Sequence, residues 1–202
     1  MIPDSHPVSA RLPSVLVACV LLLGSSLASA HVGHDHGELG FLAGFFHPFS
    51  GLDHLAAMLA VGIWSAMTTR RFWVAPLSFA SLLLVGAVLG VAGVAFPAVE
   101  PMIAVSLLVI GLLLAAQARL PALAGGSIVG LFAIFHGAAH GVELAEAGNI
   151  VAALAGMVLG TALIHLGGLG LGRALMRFSV TWARVVGGAV SALGLGLLAG
   201  LV

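Results

Sequence analysis

Long apolar stretches separated by short polar connections occupy most of the chain. Six stretches of roughly 20 residues can be distinguished, at about 52–69, 72–94, 99–117, 121–143, 148–172 and 181–202. A helix of about 20 residues rises about 30 Å, which matches the hydrocarbon core of a bilayer. The pattern therefore predicts an all-α fold, a polytopic membrane helix bundle with six transmembrane helices.

A shorter apolar segment, 39–46, precedes the first of these stretches and is separated from it by His47 and Pro48. Residues 39–67 together are too long for one straight span, and proline kinks or breaks a helix because it lacks a backbone donor. We therefore expect a first span broken at His47-Pro48. It should consist of a short leading helix, a bend to which Gly51 contributes, and then the spanning helix.

Residues 1–30 have the pattern of a cleaved signal peptide. Arg11 supplies the positive charge, an apolar core runs over 13–23, and small residues at 28–30 form a cleavage site. The alternative is an uncleaved signal anchor. Either form directs the chain to a membrane.

Cleavage after Ala30 would remove Cys19, the only cysteine, and so exclude disulfides and thiolate metal ligands. It would leave a His-rich extracytoplasmic tail at 31–38 and a six-helix transmembrane domain at 39–202. Histidine-rich tracts of this kind bind metal in other proteins, although a merely polar tail is the alternative. The tail offers three accessory metal ligands: His31, His34 and His36.

Charge is scarce in this chain, and its placement indicates the orientation in the membrane. Charged residues make up 7% of the chain, and the mean hydropathy is +1.22, too apolar for a soluble domain. The dispersed arginines and the lack of lysine exclude a nucleic-acid-binding patch. Arginines lie in alternate connections, namely Arg70, Arg71, Arg119, Arg173, Arg177 and Arg184, whereas the other connections carry Glu100 and Glu146. The positive-inside rule then predicts a multi-pass protein of the bacterial inner membrane with both mature termini periplasmic.

Two features predict how the spans pack. Glycines spaced by four residues, such as Gly137 and Gly141, allow helices to approach closely in lipid. The six spans also divide into three plus three running in opposite senses, as in inverted-repeat transporters. The sequence likeness between the halves is slight, so the repeat is a hypothesis that needs the structure.

Two clusters of ionisable residues interrupt the apolar stretches. An ionisable group at membrane depth costs several kcal/mol unless it is paired, hydrated or bound to metal. The second cluster has spacings of four and three residues, which places its members on one helix face. The clusters are His47-x5-Asp53-His54 and His136-x3-His140-x2-Glu143.

The two clusters are expected at one level in the membrane. The same number of residues, 17, separates Asp53 from Arg70 and His136 from Arg119. Both therefore lie about 25 Å from the cytoplasmic side, at about 1.5 Å per residue. Because the first and fourth spans run antiparallel, the clusters should converge on one site that faces the extracytoplasmic side.

Imidazoles together with carboxylates suit a divalent transition metal. Neutral imidazoles favour nickel, cobalt, zinc or copper over magnesium and calcium, and two carboxylates balance the charge of the ion. The alternative is that the histidines bond helix carbonyls and that Asp53 pairs with His54. The predicted metal ligands are His47, Asp53, His54, His136, His140 and Glu143.

Two further residues are accessory candidates. His165 lies nearer the cytoplasmic side, where it is either a second station on an ion path or a hydrogen-bonded structural residue. Met58 lies one turn after His54 and is either a soft accessory ligand or a packing residue.

Both clusters lie in motifs that resemble a known family. Residues 47–62, HPFSGLDHLAAMLAVG, resemble the signature of the HupE/UreJ family, and residues 135–143, FHGAAHGVE, resemble its second motif. The resemblance implies a secondary permease, not an enzyme, whose cargo is Ni²⁺ or Co²⁺ for hydrogenase or urease maturation. It also implies that transport needs the matching motif residues, here His47, Asp53, His54, His136 and Glu143.

The expected partners are a divalent metal ion and the lipid bilayer. The sequence allows a homo-oligomer but does not determine the oligomeric state. The chain contains no Walker A sequence, so transport is passive or is driven by an ion gradient or a separate partner. Two other functions use the same donors. One is an intramembrane zinc-dependent hydrolase with Asp53 or Glu143 as general base, although the chain lacks an HExxH sequence. The other is a metal sensor or assembly scaffold, which the short connections disfavour.

Overall fold

The computed structural model describes residues 38–201, and all regular elements in this range are α-helices. The predicted signal peptide and most of the His-rich tail, including His31, His34 and His36, lie outside the described residues. The predictions for that part of the chain therefore stay predictions.

Seven helices follow one another with short connections, as the alternation of apolar and polar segments predicts. They are α1 (Glu38–Ser50), α2 (Leu52–Thr68), α3 (Val74–Val91), α4 (Val99–Ala115), α5 (Ala122–Leu144), α6 (Ile150–Phe178) and α7 (Val180–Leu198). By length and composition, α3, α5, α6 and α7 can each cross a membrane, and α1 with α2 forms a fifth candidate span bent by 79°. The remaining helix, α4, is apolar but has 17 residues. The described chain is thus a polytopic helical bundle.

The sequence predicted that the first span breaks at His47-Pro48. In the structure the break lies at Gly51. Pro48 lies within α1, which continues through Phe49 and Ser50 although a proline cannot donate to the carbonyl four residues earlier. The Ser50 hydroxyl donates to the His47 carbonyl at 2.6 Å and so satisfies an acceptor at the helix end. Gly51 is extended, with φ −95° and ψ 121°, and the chain turns there into α2.

The fifth span is longer than the apolar pattern predicts, because α6 continues to Phe178. Arg173 and Arg177 therefore lie in the helix, and Ser179 alone separates α6 from α7. The guanidinium of Arg173 stacks on the Phe72 ring, 4.6 Å from its centroid. An apolar helix can continue through an arginine, because the aliphatic part of the side chain packs on apolar groups while the guanidinium stays near water.

Glycine allows the closest contacts between helices. A Cβ at Gly137 in α5 would overlap the carbonyl oxygen of Leu83 in α3, and one at Gly86 in α3 would overlap the carbonyl oxygen of Ile134. These helices therefore pack backbone against backbone, as the four-residue spacing of glycine predicts.

The main helix pairs are compatible with the predicted three-plus-three division of the spans. The most extensive contacts are between α3 and α5, between α4 and α7, and between α6 and both α1 and α2. Exchanging the first three spans with the last three converts the α3–α5 pair into the pair of α6 with α1 and α2, and it leaves the α4–α7 pair unchanged. A parallel or an inverted internal repeat would have this pairing, so the inverted repeat stays a prediction.

Candidate metal site

The two ionisable clusters meet where the end of α1, the start of α2 and the last turns of α5 come together. The bend at Gly51 is important for this meeting, because it brings His47 of α1 and His54 of α2 to the same side chain of α5. The His140 ring centroid lies 4.6 Å from that of His47 and 4.2 Å from that of His54. His136, one turn earlier in α5, has its ring centroid 4.7 Å from that of His54.

Three of these residues form a group that can hold one ion. His47 Nε2 donates to Glu143 Oε2 at 2.6 Å, and His140 Nδ1 lies 3.6 Å from the same oxygen. One ligand atom from each of the three lies within 4.8 Å of the other two. Two imidazoles and a carboxylate are donors that suit a divalent transition metal. The Glu143 side chain is 59% exposed whereas that of His140 is 3% exposed, so the group leads from the surface inward.

The His54 ring is oriented by its neighbour Asp53. The backbone N–H of His54 donates to Asp53 Oδ1 at 2.8 Å, and Nδ1 of the ring lies 2.9 Å from the same oxygen. Since a carboxylate only accepts, Nδ1 carries the proton and Nε2 presents its lone pair. His54 Nε2 is buried and has no hydrogen-bond partner within residues 38–201. Asp53 thus contacts His54 and not the three-residue group, and a carboxylate behind an imidazole typically orients it toward a metal.

His136 is held in the same manner by a residue of α4. The Ser106 hydroxyl donates its single hydrogen to the Ile103 carbonyl at 2.6 Å, so it accepts from His136 Nε2 at 2.8 Å. The lone pair then lies on His136 Nδ1, which is buried and lacks a partner among the described residues. Ser106 could not be predicted from the sequence, because a single serine in an apolar helix forms no recognisable pattern.

A cavity of about 350 Å³ connects these groups with the surface. Glu100, which the sequence had placed in a connection, lies in the first turn of α4 and forms part of the cavity wall. The sequence feature that could have identified Glu100 as a site residue is its position as an acidic residue at the start of an apolar helix. The cavity is lined by His47, Ser50, Gly51, Asp53, His54, Glu100, Ala139, His140 and Glu143.

The two accessory candidates in the described residues lie outside this cavity. Met58 is fully buried in the hydrophobic core, where a flexible thioether fills space. His165 is buried in the middle of α6, and its Nδ1 donates to the Thr161 carbonyl of the preceding turn at 2.9 Å.

The fold and the site define a polytopic helical membrane protein with a cavity lined by imidazoles and carboxylates. Residues 18–197 match the family model described as HupE / UreJ protein, so the chain belongs to the HupE/UreJ family. It is 43% identical over 179 residues to Protein HupE of Rhizobium leguminosarum bv. viciae, covering 87% of this chain and 92% of that relative. No solved structure matches the chain. The family resemblance of the two motifs is thereby confirmed.

Proposed function

We propose that this protein is a secondary permease for Ni²⁺ or Co²⁺ that supplies hydrogenase or urease maturation. Membership of the HupE/UreJ family supports a nickel or cobalt transporter role in such systems. The observation that carries the proposal is the convergence of three imidazoles and Glu143 at the cavity, with His136 packed behind His54. Buried ring nitrogens of these residues lack protein partners among residues 38–201.

The geometry supports a stepwise loss of hydration. Glu143 is the most exposed of the donors and attracts the hydrated cation, which then exchanges water for His47 and His140 nitrogens. The lone pairs of His54 and His136 lie next inward. Burying an unpaired nitrogen acceptor is costly, so a passing cation stabilises the groups that it meets. Asp53 supplies a second negative charge behind His54, and the two carboxylates together balance a divalent ion.

We further propose six spans, with α1 and α2 as the broken first span and α4 as the third. The 17 residues of α4 reach about 26 Å, close to the thickness of the hydrocarbon core. The arginine-bearing connections are cytoplasmic and the cavity is periplasmic, in the inner membrane, with both mature termini periplasmic. The ion then enters between α2 and α5 from the periplasm and leaves to the cytoplasm.

Nickel uptake by His140→Ala tests this function. In proteoliposomes, the wild-type protein should accumulate radioactive nickel, and loss of the central imidazole should lower the initial rate about tenfold or more. Ser191→Ala is the matched control, because this buried serine bonds the Leu108 carbonyl at the α4–α7 contact, away from the cavity. It should transport at the wild-type rate.

Wild-type uptake by the His140→Ala variant, at equal amounts of inserted protein, would refute the proposed site. Accumulation inside the vesicles, rather than binding alone, separates a permease from a sensor or scaffold. Competition by cobalt and zinc in the same assay identifies the preferred ion.

A further inference from the structure

A row of aromatic rings extends from the cavity into the core of the bundle. Beyond the cavity, the Phe79 ring of α3 has its centroid 5.5 Å from that of His136 and 5.0 Å from that of His165. Phe79 is fully buried and thus separates two imidazoles that belong to different helices. From the surface inward, the row consists of His47, His140, His54, His136, Phe79 and His165.

His165 lies deeper than the cavity histidines. At about 1.5 Å per residue, His136 lies about 12 Å from the last residue of α5, and His165 lies about 22 Å from the first residue of α6. Because a short connection joins these two helix ends, both depths are measured from the same end of the bundle. His165 therefore extends the row toward the end that carries the arginines.

The hydrogen bond of His165 satisfies only one of its two ring nitrogens. Nδ1 donates to the Thr161 carbonyl, so Nε2 presents a lone pair. Within the described part of the chain, His165 Nε2 has no partner, and neither has the Thr161 hydroxyl oxygen one turn away on the same helix face. A histidine that only packed would leave a buried acceptor unsatisfied, which native proteins largely avoid.

We propose that His165 Nε2 is an inner relay ligand, which receives the transported ion from His136 across the Phe79 ring. This inference rests on the proposed permease function. In the transfer, the bond of the ion to His136 Nδ1 breaks and a bond to His165 Nε2 forms, with no net change in charge. The face of the Phe79 ring stabilises a cation in passage, while the ring body keeps the two imidazoles from sharing a continuous water column.

His165→Phe tests the relay, since it keeps an aromatic ring and removes both nitrogens. The maximal rate of nickel uptake in proteoliposomes should fall about tenfold or more, while calorimetry on the purified protein should show the nickel affinity of the cavity within about twofold of wild type. His140→Ala should lose both uptake and affinity, and Ser191→Ala should retain both. Wild-type uptake by His165→Phe, in a protein whose parent transports, would overturn the relay alone. Absence of uptake and binding in the parent would overturn the permease function itself.

A cysteine at the same position gives a second test that does not depend on the folding of the Phe variant. Cys19 is the only cysteine of the chain, so His165→Cys in a Cys19→Ser background carries a unique thiol. Nickel should slow the reaction of this thiol with a membrane-permeant methanethiosulfonate. The reason is that a thiolate bound to the ion cannot attack the reagent. The same labelling rate with and without nickel would contradict the relay. A cysteine at Ser191 in the same background is the control, and nickel should leave its labelling unchanged.

Discussion

At the scale of single residues, the Asp53 carboxylate orients the ring of His54, a predicted metal ligand. Asp53 Oδ1 accepts from both the backbone and the ring of His54, and this fixes the proton on Nδ1. The sequence offered two roles for Asp53, as a metal ligand or as the partner of His54. The geometry favours the second role without removing His54 from the ligand set, because Nε2 stays free toward the other histidines.

The substitution Asp53→Asn should therefore weaken metal binding through His54. The amide can act as a donor, so it no longer requires the proton on Nδ1, and a fraction of the rings will present a protonated Nε2 to the cavity. Removing such a carboxylate partner typically costs about 10- to 100-fold in metal affinity. Calorimetric titration of the purified protein with nickel measures this loss.

The matched control for this titration is Asp53→Glu, which keeps the charge and an acceptor and should recover part of the affinity. Equal affinity of Asp53→Asn and the wild type would show that His54 does not need its carboxylate.

The six predicted metal ligands could be selected from the sequence because costly side chains in an apolar chain stand out. Their convergence was also predictable, since equal counts from Arg70 and Arg119 place Asp53 and His136 at one depth. Ser106 and Phe79 were not predictable. A serine and a phenylalanine are ordinary in membrane helices, and only three-dimensional proximity to His136 gives them a role.

At the scale of helices, Gly137 determines how closely α5 approaches α3. Gly137→Ala should lower the free energy of unfolding by about 1–3 kcal/mol, because its Cβ would overlap the Leu83 carbonyl oxygen and force the helices apart. The melting temperature in detergent measures this loss. Since Gly137 adjoins His136, nickel affinity should fall as well.

Gly188→Ala is the matched control, since a Cβ at Gly188 meets no atom within 4 Å. Alanine has the higher helix propensity, so this control should melt at the same temperature as the wild type or slightly above it. Equal melting temperatures of the Gly137 and Gly188 variants would contradict the backbone contact between α5 and α3.

The helices themselves were largely predictable, and the departures have local causes. The apolar pattern placed the third span at 99–117 and the fourth at 121–143, within two residues of α4 and α5. The break of the first span lies at Gly51 and not at His47-Pro48, because α1 continues for two residues past the proline and the backbone becomes extended at Gly51. The fifth span is longer than predicted because α6 continues past Arg173, whose guanidinium stacks on Phe72. Counting apolar residues could not predict this contact.

At the scale of the whole molecule, the helix pairs could not be predicted from the chain. Apolar helices in lipid are alike in composition, and their association depends on where small residues allow contact. The structure pairs α3 with α5, and it pairs α6 with both α1 and α2. This pairing is preserved when the two predicted halves are exchanged. The slight sequence likeness between the halves gives little indication of it. The cavity is lined by residues of α2 and α5, which belong to different predicted halves. A site between the halves is what the hypothesis of an inverted-repeat transporter predicts.

The orientation of the bundle decides the direction of transport, and labelling of single cysteines tests it. In a Cys19→Ser background, Gly148→Cys lies in the connection after α5, next to the cavity end, and Ala116→Cys lies in the connection that carries Arg119. Both positions are exposed. A membrane-impermeant maleimide should label Gly148→Cys in intact cells and Ala116→Cys only after permeabilisation, because arginine-bearing connections stay in the cytoplasm. The opposite pattern would place the cavity in the cytoplasm, and the same histidines and carboxylates would then collect metal for export instead of uptake.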